Sequence, residues 1–235
     1  MISDKRFASS FFSFWRDLMP LSAKLQALEL ERFEVPLGRQ AAAKPSAEEA
    51  RPGEEERQID FIVKYQSVQL FNASVLGDLR LASKRIPMKA VRKICQNDEL
   101  DRIECAQAVE IARRLATFFR KFEPNQRLVI RPQFPGCGFL AASEGDILSD
   151  ETLFVVSVGQ KPIFSIGDLR LLIVHAALNN WSDTFTVNEA GLLNPRVGVY
   201  FRWEIERLIP FVSGKHSTEL FSELIDFVTS AGISQ

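Results

Sequence analysis

Asp146 and Glu144 stand two residues apart in the segment EGDILSDETLFVVSVG, residues 144–159. In an extended strand that spacing turns both carboxylates to one side. Carboxylates sharing a face are the groups that can hold a hard cation such as Mg²⁺. The plain alternative is local: Asp146 bonds backbone amides at a strand end or turn, and Glu144 and Glu151 are solvated hairpin residues. His175 lies inside the strongly apolar SIGDLRLLIVHAALNN. It reads as a hydrogen-bonded core histidine rather than a general base, because no nucleophile or acid-rich motif accompanies it. Cys137 in PGCG reads as a small buried residue at a tight bend. The chain has no G-x-S-x-G, no P-loop and no G-x-G-x-x-G.

Arg80, Lys84, Arg85, Lys89, Arg92 and Lys93 form the densest positive run, six cations within fourteen residues. On a helix begun by Pro87, Lys89, Arg92 and Lys93 share one face with Arg85 at its start, opposite an apolar stripe of Met88, Val91, Ile94 and Cys95. Such a face suits phosphate contacts without sequence readout, and it is also how an ordinary solvated helix looks. Arg127, Arg131, Arg170, Arg196 and Arg202 add to it only if the fold gathers them. The net charge of −1 gives the whole molecule no pull on nucleic acid, so any such binding must be local.

The elements that would position these groups follow from pattern. With 235 residues, 46% apolar and 25% charged, the chain has the balance of a soluble globular protein. Three scattered cysteines and two histidines argue against a zinc site and for a reducing, cytoplasmic setting. No apolar run is long enough to cross a bilayer, and the start lacks the marks of a signal peptide. Residues 1–37 open with Phe7, Phe11, Phe12, Phe14 and Trp15, then Leu18. Their spacing fits one helix face closed by Pro20. That face either docks on its own domain or enters a groove on a partner, through Phe7, Phe11, Phe14, Trp15 and Leu18. Residues 38–58 are an acidic linker by composition, and residues 59–126 are a helical region carrying the basic helix. Within it, IDFIVKYQSVQLFNASVL mixes alternation with helical spacing, and its type stays open. A longer helix over about 98–121 has Ile103, Ala106, Leu115, Phe118 and Phe119 inward. From residue 127 onward come three strands, a helix buried on most sides, two strands and a closing amphipathic helix over 217–230. The class is α/β with a central sheet.

This order, with Gly145-Asp146, the hairpin ILSDETLFVVSV and the helix starting near Ser165, resembles the PD-(D/E)XK nuclease superfamily over roughly residues 98–205. The resemblance implies a restriction-endonuclease-like α-β-β-β-α-β core with a mixed sheet, extended here by N-terminal helix. In that superfamily a first acid and the acid of an E-x-K triplet hold divalent metal, and the lysine polarises water or phosphate. Two carboxylates are close to a minimum, because Mg²⁺ keeps most of its water and dissociates readily. Matched to this chain, Asp146 is the first acid, Val155 stands for the triplet acid and Ser157 for the lysine. Leu171 falls where some members carry a glutamine. Three functional places are apolar or neutral together, which points to a degenerate site.

The leading expectation is therefore a non-catalytic nuclease-like subunit of a bacterial DNA-directed complex, of the phage-defence, restriction or transposition type. It would bind DNA or a partner protein and need no cofactor. A second reading is an active Mg²⁺-dependent nuclease with a rearranged site of Asp146, Glu144, Glu110 and Lys161. A third is a protein-interaction module without nucleic acid.

Overall fold

The structure is a computed structural model that describes residues 1–27, 29–33, 54–78, 80–81, 86, 88–95, 102–122 and 126–230. The described helices are α1 (Asp4–Ser9), α2 (Phe12–Leu18), α3 (Glu54–Val75), α4 (Met88–Cys95), α5 (Arg102–Phe122), α6 (Ile166–Ser182), α7 (Ile205–Ser213) and α8 (Ser217–Ser230). The strands are β1 (Glu31–Arg32), β2 (Leu128–Ile130), β3 (Gln133–Phe134), β4 (Ser143–Glu144), β5 (Ile147–Ser149), β6 (Thr152–Val156), β7 (Glu189–Asn194) and β8 (Val199–Glu204). Six strands form one sheet in the order β1-β8-β7-β6-β5-β2, and β3 and β4 form a separate ribbon. Among the described strands of this sheet, only β6 and β7 pair in parallel. The α/β class with a mixed sheet is as expected.

Two apolar layers cover this sheet. Along β6, Leu153 and Val155 join the cluster formed with α6, α7, α8 and the N-terminal helices, whereas Phe154 and Val156 join the cluster formed with α3 and α5. That alternation buries the strand on both faces, which is why it is apolar throughout. The helix expected to be buried on most sides is α6, lying between β6–β7 on one side and α1 and α8 on the other. Its start is a capping box: Ser165 Oγ accepts the Asp168 N–H at 3.0 Å, and Asp168 Oδ2 accepts the Ser165 N–H at 3.1 Å.

The hairpin of residues 144–159 is built as its residues suggest. β5 and β6 pair from Ile147↔Phe154 to Ser149↔Thr152 around Asp150-Glu151. Asp150 adopts φ 46° and accepts the Arg127 N–H at 2.9 Å. In PGCG, Gly138 has φ +57°, and a Cβ there would lie 2.1 Å from the Val228 carbonyl oxygen. Cys137 is buried beside it, and burial raises its thiol pKa.

Three expectations are corrected and one open reading is settled. The N-terminal aromatics lie on two short helices, not one, because the chain breaks at Ser10-Phe11 and Phe11 takes φ 54°. Residues 54–58, read as linker, begin α3; the rest of that linker, 38–53, lies outside the described residues. The open stretch after Ile59 is helix, packed along α5. The strand RVGVYFRWEI ends at Glu204, and α7 begins at Ile205. The edge strand β1, which pairs antiparallel with β8, had no sequence signal because two charged residues carry no alternation.

Candidate functional site

Asp146 sits between the ribbon strand β4 and the sheet strand β5. Extending the β5–β6 register by one residue sets it across from Val155. Its backbone oxygen accepts the Arg131 N–H at 2.9 Å. Its carboxylate oxygen Oδ2 accepts the Val156 N–H at 2.8 Å and meets Lys64 Nζ of α3 at 2.6 Å. The Asp146 and Lys64 side chains are only 16% and 13% exposed. The carboxylate therefore ends the β5–β6 ladder, as the local reading has it, and also fastens α3 to the sheet.

Glu144, two residues before, binds the Arg131 guanidinium and accepts Gln133 Nε2 at 2.8 Å. Arg131 also lies 4.7 Å from the centre of the Tyr65 ring on α3. Desolvation opposes its charge, but the contacts with Glu144 and Tyr65 outweigh that and raise its pKa. Lys5 of α1 completes the group. Desolvation and repulsion from Lys64 lower its pKa, with Asp146, Asp4 and Glu144 pulling the other way. Five charges thus meet where α1, α3 and the β4–β5 segment converge: Lys5, Lys64 and Arg131 against Glu144 and Asp146.

The other candidates are placed elsewhere. Glu110 pairs with Arg114 Nε at 3.1 Å and Arg113 at 3.7 Å. Arg114 is buried and holds the carbonyls of Pro195 and Arg196 in the β7–β8 turn. Glu110 therefore serves that turn, which corrects its assignment to a metal site with Asp146. Lys161 is exposed in the loop after β6. Val155 and Leu171 belong to one apolar cluster, and Ser157 donates its N–H to the Leu193 oxygen at 2.8 Å. Among the described residues no group of three His, Cys, Asp or Glu side chains is placed to hold a metal ion.

His175 is a hydrogen-bonded core histidine. Nε2 lies 2.8 Å from Asp4 Oδ2, and the ring stacks on Phe134 at 5.5 Å. Burial pushes the Asp4 pKa up, but His175 and the Lys5 N–H outweigh it, so Asp4 is held below the ordinary carboxylate value. The aromatic residues assigned to a partner are covered by their own chain. Phe7 and Trp15 are 0% exposed and Leu18 2%, Trp15 Nε1 donates to the Phe7 oxygen at 3.0 Å, and Phe14 stacks on Phe227 of α8 at 4.0 Å. The partner surface drawn from Phe7, Trp15 and Leu18 is thereby corrected to core; Phe11 and Phe12 keep exposed rings.

On α4, Lys89, Arg92 and Lys93 are exposed while Val91 is fully buried. Arg85 lies outside the described residues. Of the five further arginines, Arg127 and Arg202 line one hollow with Asp150, Glu151 and Glu189, and Arg131, Arg170 and Arg196 each have separate partners. Arg131 faces Glu144, Arg170 lies over Trp15, Arg196 reaches Gln107, Arg202 faces Glu189, and Arg127 lies by Asp150. Two adjoining hollows of about 820 and 710 Å³ lie at the end of the sheet where β6 and β7 begin. The second is lined by Glu151, Asp183, Glu189, Glu204 and Glu206. This acidic end carries no signal in the sequence, because its residues come from four separate segments. Lys64 and Lys5 were missed too, since a lone lysine carries no signal of its partner.

The geometry defines a mixed α/β protein with a cluster of five paired charges where α1, α3 and the β4–β5 segment meet. No protein-family model, no curated protein and no solved structure matches the chain. Among the described residues no helix is long and apolar enough to cross a membrane.

Proposed function

We propose that this chain is a non-catalytic, nuclease-like binding subunit of a DNA-directed complex, contacting the nucleic-acid backbone through α4. The observation that carries the reading is the engagement of Asp146. Its charge is matched by Lys64 and its Oδ2 accepts the Val156 N–H. A divalent cation needs carboxylate oxygens facing open space and water. The order α5, β2, β5, β6, α6, β7, with β6 and β7 parallel, supports a restriction-endonuclease-like ancestry. Where that frame would carry a triplet acid and a helix glutamine, Val155 and Leu171 pack the core. The acidic hollow disfavours phosphate at the start of β6, and the exposed Lys89, Arg92 and Lys93 are a described face suited to it.

The test is a charge reversal, Lys89→Glu with Arg92→Glu and Lys93→Glu, read as retention of duplex DNA across a salt series. Loss of binding, with a salt dependence shallower by about one unit of slope per lost contact, is the expected result. Unchanged retention would remove α4 as the binding face and favour a protein-interaction module. Magnesium-dependent cutting of plasmid DNA that Asp146→Ala abolishes would overturn the non-catalytic reading outright.

A further inference from the structure

Lys64 comes from α3, outside the segment whose order resembles a nuclease core, yet it reaches the one acid of that frame that the chain retains. An ammonium is a compact point charge with three donors. A shielded carboxylate needs a counter-charge, because desolvating it alone is costly. In a site built on acids that counter-charge is a metal ion with its waters. Here the Lys64 ammonium stands 2.6 Å from Asp146 Oδ2, and each side chain has less than a fifth of its surface exposed.

We propose that Lys64 is the built-in cation of this site: it takes the place of a divalent ion at Asp146 and excludes one while it is present. The proposal rests on the nuclease-like reading for the ancestry of Asp146; the ion pair stands without it. Glu144 is engaged by Arg131 and Gln133, so Asp146 is the anchor once Lys64 is removed. Waters fill the rest of the shell, so the affinity gained is weak in absolute terms. Lys5 keeps its charge in every variant below and limits the affinity gained.

The experiment is a titration of the full chain with Mn²⁺ alone, followed by electron paramagnetic resonance of the free ion. Lys64→Met removes the charge and keeps the stem. Lys64→Gln also keeps a donor toward Asp146 and serves if the methionine variant does not fold. Either is expected to bind Mn²⁺ at least about tenfold more tightly than the parent, a single unit charge having been withdrawn. Lys64→Arg should stay at the parent level, and adding Asp146→Asn to the neutral variant should return it there. The proposal is overturned if neutral variants bind Mn²⁺ no more tightly than the parent, or if the parent already binds it in a way that Asp146→Asn abolishes. Failure of the nucleic-acid reading is seen separately, in the α4 charge reversal, which leaves Lys64 in place.

Discussion

Asp146→Ala is expected to destabilise the fold by about 3–5 kcal/mol, the usual cost of removing one partner from a shielded ion pair. Two groups lose their acceptor in that variant. The Lys64 ammonium is left largely out of water without a counter-ion, and the Val156 N–H at the end of β6 loses its bond. Asp146→Asn separates the two effects. Its side-chain oxygen still accepts the Val156 N–H, so the difference between the variants reports that bond, about 1–3 kcal/mol for an unsatisfied buried donor. Urea unfolding of both variants, with midpoints compared at constant slope, measures this. A change within about 0.5 kcal/mol, the range of ordinary surface substitutions, would mean that Asp146 is a solvated turn residue and that α3 is held without it.

The second large effect concerns the N-terminal segment. Trp15→Ala is expected to cost about 3–5 kcal/mol, as for large aromatic truncations in cores. Trp15 is fully buried and makes a hydrogen bond to the Phe7 carbonyl, and Phe7 is itself enclosed by rings from α2, the Phe139 loop and α8. Deleting residues 1–19 should accordingly unfold or aggregate the chain rather than yield a stable body lacking a partner; an intact two-state transition near the parent midpoint would refute this. The same segment carries an acid-sensitive contact. Because Asp4 has a lowered pKa in the fold, its contribution is present above its ordinary value of 3.8 and is lost as the pH falls through the folded value. Asp4→Asn should flatten the acid limb of the stability profile below about pH 4 and leave it unaltered at neutrality in slope.

The architecture was legible where one rule dominates. A strand buried on both faces and a helix buried all round leave unmistakable apolar runs, and β6 and α6 lie where those runs do. Ser149-Asp150-Glu151 announced its turn because Asp150 tolerates a left-handed backbone. The site was half legible. Asp146 stood out as an acid at a strand end, but a sequence does not display what a carboxylate touches. Lys64 is distant in the chain and lies on a helix whose pattern was ambiguous, so the pair could only be found in three dimensions. The aromatic run at the start misled in the opposite way. A stripe of rings looks the same whether its cover is another chain or an element more than two hundred residues later, such as Phe227.

That long reach has a consequence for how the protein is made. Asp4 meets His175 across 171 positions, and Tyr200 closes on Glu31 across 169. Synthesis delivers α1, α2 and β1 long before α6, β8 and α8 exist to receive them. Until then the emerging polypeptide holds out an aromatic segment with nowhere to fold, and closing such loops is entropically slow. Its exposed interval is thus the time on the ribosome before α6, β8 and α8 emerge to cover it.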